Sequence, residues 1–212
     1  MTSLVERAYI DAVEGVDDED EAKAALLDAA YEQFCRVGIQ RCTMEDVARR
    51  AKVSRITVYR RFANKNTLVE EVVRREFRRY FDQFLLDIGR AGTVADRVVV
   101  GFVSSLRALR RNPLIGGLMA AEPDLVAPSM ISDGGQTLAT VRRFLAGQLR
   151  REQRAGNVPA ELDVDLTAEM MVRVSASFLA IPSEIVDLDD EARLAAVARQ
   201  FLVPMLQVRK PA

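Results

Sequence analysis

TMEDVARRAKVSRITVYRRFANKNTLV, residues 43–69, decides the fold. Thr43 stands three residues ahead of Asp46, the spacing at which a hydroxyl and a carboxyl satisfy the free N–H groups of a helix start reciprocally. Met44, Val47, Ala48 and Ala51 follow at helical steps and predict a short helix with that inner face. Lys52-Val53-Ser54 interrupts it, and Ser54 offers a second cap. Ile56, Val58, Tyr59 and Phe62 supply apolar surface for the next helix, leaving Arg55, Thr57, Arg60 and Arg61 for the outside or the rim. Asn64 caps a longer helix with a stripe of Leu68, Val69, Val72, Val73, Phe77, Phe81, Phe84, Leu85 and Ile88.

Upstream, EAKAALLDAAYEQFCRV (21–37) places Ala25, Leu26, Ala29, Ala30, Phe34 and Val37 on one face. Alanine and leucine are strong helix formers, so propensity and periodicity agree. Gly38 then provides a left-handed stop.

The net charge of −1 conceals an asymmetry. Residues 1–21 set eight acids against Arg7, whereas residues 41–65 set eight bases (Arg41, Arg49, Arg50, Lys52, Arg55, Arg60, Arg61 and Lys65) against Glu45 and Asp46. A basic block in a nearly neutral chain suggests a local polyanion site. On charge alone, a solvated, arginine-rich surface is the better reading.

The composition also excludes chemistry. There is no histidine, which removes the commonest general base near neutral pH, the Ser-His-Asp arrangement and histidine-ligated metals. No glycine-rich phosphate loop is present, and the carboxylates are scattered. Neither an enzyme, a cofactor nor a metal site is expected. Cys35 and Cys42 fit no disulfide framework or zinc motif and are expected to pack as small apolar side chains. No apolar run approaches the roughly 18–20 residues that cross a bilayer, and the N-terminus lacks a secretory core. The expected localisation is cytoplasmic, with no membrane partner.

Two short helices joined by a three-residue turn, the second edged with arginine, form a helix-turn-helix. About eight residues at roughly 1.5 Å each span roughly 12 Å, enough to cross a DNA major groove. The segment resembles the DNA-binding portion of TetR-type transcriptional regulators through Thr43, Val47, Ala48, Ala51, Val53, Ser54, Thr57, Val58, Tyr59, Phe62, Lys65 and Leu68. The motif likeness covers about residues 21–70. Two positions depart from the pattern: Lys52 occupies a turn site usually held by glycine, and Ile56 another site often held by glycine. A side chain at 52 must tolerate a strained backbone or the turn must differ slightly, and a bulky one at 56 changes how closely the helix approaches the groove.

The resemblance implies an all-α protein with an N-terminal helix-turn-helix DNA-binding domain and a C-terminal helical ligand-binding and dimerisation domain. The expected division is an acidic extension at 1–20, the DNA-binding domain at 21–68 and the helical domain at 69–212. For residues 1–20 a short helix with an acidic hinge and a disordered tail are equally good readings. By resemblance, Thr43 and Ser54 cap helices and meet phosphates, and Arg55 and Thr57 face bases. Tyr59 leans on the sugar-phosphate backbone, Arg60 reaches phosphate or a guanine edge, Lys65 clamps phosphate, and Arg61 is a further DNA-binding residue. Arg49 and Arg50 are better read as solvated charge.

Beyond residue 94, helices are expected at VADRVVVGFVSSLRALRRNP, ending at Pro113, and at LIGGLMAAEPD. Others follow at MISDGGQTLATVRRFLAGQLRREQRAGN, at DLTAEMMVRVSASFLAIPS with Asp165 as cap and Pro182 at its end, and at DDEARLAAVARQFLVPMLQV, bent near Pro204. The resemblance implies a small apolar or aromatic effector, with Phe81, Phe102, Leu106, Met119, Phe144 and Met170 as pocket residues; packed core is the competing reading for each. It also implies a homodimer through the last two helices, with Met171, Val174, Phe178, Leu194, Val197 and Phe201 at the interface. The function expected is a DNA-binding repressor released from a palindromic operator by its ligand. A DNA-binding regulator or architectural protein of the same fold without an effector is the alternative.

Overall fold

The computed structural model describes residues 21–114, 136–181 and 183–208. The N-terminal extension, the LIGGLMAAEPD segment, Met119 and Pro182 lie outside them. The described chain is helical: α1 (Glu21–Val37), α2 (Met44–Arg50), α3 (Arg55–Arg61), α4 (Lys65–Gly89), α5 (Val94–Arg111), α6 (Gln136–Arg154), α7 (Val164–Ala180) and α8 (Glu191–Val197). No strand occurs among these residues.

They fall into two compact units. The first takes residues 21–81 and 111–114, so it continues past Leu68, the boundary drawn from sequence, to Phe81. The second takes residues 82–110 and the described residues from 136 onward. In the first, Leu26, Leu27, Ala30 and Phe34 of α1 are buried with Val47 and Ala48 of α2, Val58 of α3 and Leu68, Val72, Phe77 and Phe81 of α4. Cys42 joins this core, as a small apolar side chain should, but Cys35 is exposed, contrary to expectation. It follows the buried Gln33 and Phe34 by two residues and one, on the outward side of α1. Arg75 of α4 is also buried; it donates to the Ala24 carbonyl at 3.1 Å and pairs with Asp28 at 2.8 Å, fastening α4 to α1.

Three helix ends follow the same chemistry. Gly38 sits at φ +83° after α1. Gly156 sits at φ +77° after α6, where Asn157 N–H reaches the Glu152 carbonyl and Gly156 N–H the Gln153 carbonyl. After α2 the same pair of bonds runs from Val53 N–H to the Ala48 carbonyl and from Lys52 N–H to the Arg49 carbonyl. This is the Schellman arrangement, whose pivotal residue must be left-handed. Lys52 fills it at φ +55°, the only non-glycine residue with positive φ among those described.

The second unit has one core shared by Phe102 and Leu106 of α5, Ala146 and Leu149 of α6, Ala168 and Met171 of α7, and Leu194, Ala198, Leu202 and Leu206 at the C-terminal end. The cap of α7 is Asp163, not Asp165: its carboxylate accepts from the N–H groups of Asp165 and Leu166. The expected bend at Pro204 takes a definite form. After α8 the chain widens into a π turn (Ala198–Leu202), in which Val203 N–H bonds the Ala198 carbonyl, and then tightens into a 3-10 turn (Val203–Leu206) with Pro204 in its first positions. Proline offers no N–H to continue an α ladder.

Candidate nucleic-acid interface

The site is built on α2 and α3. Thr43 Oγ1 accepts from Asp46 N–H at 3.1 Å, while the Asp46 carboxylate accepts from Thr43 N–H at 3.0 Å and from the Thr43 hydroxyl at 2.6 Å. The hydroxyl bond, then the backbone bond, holds the Asp46 carboxyl below the usual carboxylate range, so it stays ionised. Thr43 is thus the expected cap. Both its donors are engaged by the Asp46 carboxylate.

Ser54 caps α3: its Oγ accepts from Thr57 N–H at 3.1 Å and lies 2.8 Å from the Thr57 hydroxyl. Thr57 is half-buried. Only Val58 and the capping residue Phe62 are buried in this segment, at 0% and 2% exposure. A two-turn helix seated on residues four apart turns the rest of its circumference outward. The expectation that Ile56 and Tyr59 help to seat it is therefore overturned. Ile56 is 79% exposed and Tyr59 is exposed as well. At 100° per residue, position 56 lies about 160° from Val58, nearly opposite.

The cations sort by their partners. Arg50 pairs with Glu32 of α1, and Arg49 lies 3.6 Å from Asp46, consistent with solvated, compensated charge. Lys65 donates to the Gln40 carbonyl at 2.9 Å, which joins the start of α4 to the loop after α1 and leaves two N–H donors. Arg55 lies over the Tyr59 ring at 5.2 Å from its centroid, and a hydrogen bond to Tyr59 raises its guanidinium pKa further. Arg60 and Arg61 are exposed. Lys52, Arg55 and Arg60 have no carboxylate within ion-pair distance among the described residues. An exposed face with uncompensated cations on a rigid two-helix support is suited to a polyanionic duplex. Lys52 and Ile56 are absent from the sequence-derived site. Helical phase relative to Val58 was the signal that identifies Ile56.

Residues 26–72 match the family described as bacterial regulatory proteins, tetR family. Over these residues the chain is similar to the DNA-binding domain of that family. An HTH-type transcriptional regulator of Mycobacterium tuberculosis is 26% identical over 85% of this chain and 83% of its own length. UidR of Escherichia coli is 23% identical over 85% of this chain and 90% of its own. Among solved structures, the TetR family repressor AlkX from a Dietzia strain is 25% identical with a TM-score of 0.59, covering 86% of this chain and 96% of its own. GusR of Salmonella enterica has a TM-score of 0.62 at 18% identity, covering 90% and 98%. The matched domain and these relatives, which are transcriptional regulators, support DNA as a partner.

The residues expected to form a pocket and an interface are distributed differently from the sequence reading. Phe81 belongs to the first unit; Phe102, Leu106, Phe144 and Met170 belong to the second. Phe102 meets Phe178 edge-on at 5.8 Å and Phe144 lies 6.3 Å from Phe84, while Leu106 is fully buried. Met170 is 44% exposed, whereas its neighbour Met171 is in the core. The two exchange their expected places: α7 turns Ala168, Met171 and Val172 inward, which rotates Met170 to the surface. Leu194 and Val197, expected at an interface, are likewise core residues of one chain. Val174 and Phe178 are half-buried against that core, and Phe201 is 56% exposed. Among the described residues no helix is long and apolar enough to cross a membrane.

Proposed function

We propose that this regulator is a homodimeric repressor that occupies a palindromic operator and leaves it when a small apolar ligand binds. The observation that carries the DNA half is the outward face of α3, where Arg55 and Arg60 stand uncompensated beside Ile56 on a helix anchored by Val58 and Phe62. Exposed apolar side chains support pairing of two chains: Leu166 and Met170 on α7, Phe201 in the π turn. Pairing sets two copies of α3 about 34–36 Å apart, one DNA turn, which a single copy cannot supply. Thr57, Ser54, Tyr59, Arg61 and Lys65 complete the contact set.

The repressor direction is supported by AlkX, named a TetR family repressor implicated in biodegradation of n-alkanes. The same fold holds stearoyl-CoA in FadR of Bacillus subtilis, so an apolar ligand is within its capacity. In this chain Phe102 and Phe144 are the pocket residues, on aromatic contacts that a ligand would have to part. The second reading, a regulator without effector, is favoured by Leu106 lying in a closed core.

Selection of bound sites from random duplex DNA should return an inverted repeat, bound by two chains with an affinity that falls steeply with salt. Screening apolar compounds should then find one that both raises the unfolding temperature and releases that DNA. A palindrome bound with no releasing compound supports the second reading; salt-independent binding or no selected sequence overturns the first.

A further inference from the structure

Ile56 is placed where a structural role cannot explain it. Val58 and Phe62 seat α3, and Ile56 projects from the opposite side with 79% of its surface exposed. Arg60 is four residues on and shares that pole of the helix. Tyr59, with Arg55 over its ring, flanks one side, and the half-buried Thr57, its hydroxyl 2.8 Å from that of Ser54, flanks the other. The foremost side chain of the reading helix is therefore branched and apolar, with cations around it.

Phosphates and sugars give such a side chain nothing to recognise. On base edges in the major groove, the apolar group is the C5-methyl of thymine. The surrounding Lys52, Arg55 and Arg60 hold the helix to the phosphate walls, which keeps the isoleucine pressed toward the groove floor. The geometry points to Ile56 as a specificity-determining residue that reads one thymine methyl in each operator half-site. Apolar contact, rather than the Thr57 hydroxyl, then carries part of the sequence preference. The inference rests on the operator-binding reading above and deepens it.

The test begins with the palindrome selected by the wild-type chain. Each thymine of the half-site is replaced in turn by deoxyuridine, which removes only the methyl group, in both half-sites together. One position should weaken binding about fourfold per half-site, hence about fifteenfold for the pair, the yield of losing one buried methyl per half-site. The same substitutions are then measured with Ile56→Ala and Ile56→Val. With alanine the thymine-to-deoxyuridine ratio should collapse to less than about twofold; with valine most of it should survive. Because each ratio is taken within one protein, any general loss of affinity cancels. A half-site with no methyl-sensitive position, or a sensitivity that Ile56→Ala leaves intact, overturns the inference while leaving operator binding standing. If no sequence is selected at all, the operator reading itself fails.

Discussion

Replacing Lys52 by glycine should stabilise the N-terminal unit. Lys52 is the pivot of the Schellman end of α2 at φ +55°, held there by the Val53-to-Ala48 and Lys52-to-Arg49 bonds. A residue with a Cβ pays about 1–2 kcal/mol in that conformation. Glycine escapes this but gives the unfolded chain more freedom, at a cost of about 0.4–1 kcal/mol. The net gain is about 0.5–1 kcal/mol, or about 1–4 °C in unfolding temperature for a chain of this size. Lys52→Ala keeps the Cβ and should be close to neutral, so it controls for the lost charge. Gly156→Ala is the mirror experiment, because glycine already fills the equivalent position after α6 at φ +77°; it should destabilise by about 1 kcal/mol. Urea unfolding followed by far-ultraviolet circular dichroism gives the differences, and amide exchange at Val53 and Thr57 shows whether they arise at the turn. The reasoning fails if Lys52→Gly is no more stable than Lys52→Ala.

Thr43→Ala should cost about 1 kcal/mol by removing the α2 cap. The Asp46 carboxyl titrates below its usual value, so its stabilisation is complete above the ordinary carboxylate range near pH 4 and fades as pH falls through the depressed value; the stability gap between wild type and Asp46→Ala, followed by acid titration, should close in that window. Phe201→Glu should leave helicity intact and shift sedimentation toward single chains, whereas Leu194→Glu places a charge in the fully buried core and should unfold the second unit. Lys65→Ala should weaken binding to all duplexes alike and lower the salt slope by about 0.9, read by fluorescence anisotropy at several salt concentrations.

The N-terminal half was legible wherever a local rule operates. The capping spacing of Thr43 and Asp46, the Ser54 and Asn64 caps, the Gly38 stop and the backbone strain at Lys52 all depend on neighbours within a turn, and the structure has each of them. The errors came where two similar residues competed for one role. Met170 and Met171 are adjacent and equally apolar, so only the phase set by Ala168 and Val172 decides which faces inward. Asp163 and Asp165 are both good caps; the backbone reaches its extended form at Asp163. Ile56 looked like core because apolar composition was counted over a helix too short to bury more than one residue per turn.

The widened turn at Ala198–Leu202 has a consequence for how the C-terminus keeps its seat. Leu194, Ala198, Leu202 and Leu206 recur every fourth residue and are all buried. In a uniform helix each such step overshoots a full revolution by about 40°, and the row would wander toward solvent. One loosely wound turn offsets that excess between Ala198 and Leu202. Beyond it the chain winds more tightly from Val203, with Pro204 in the first positions of that turn, and Leu206 is still buried.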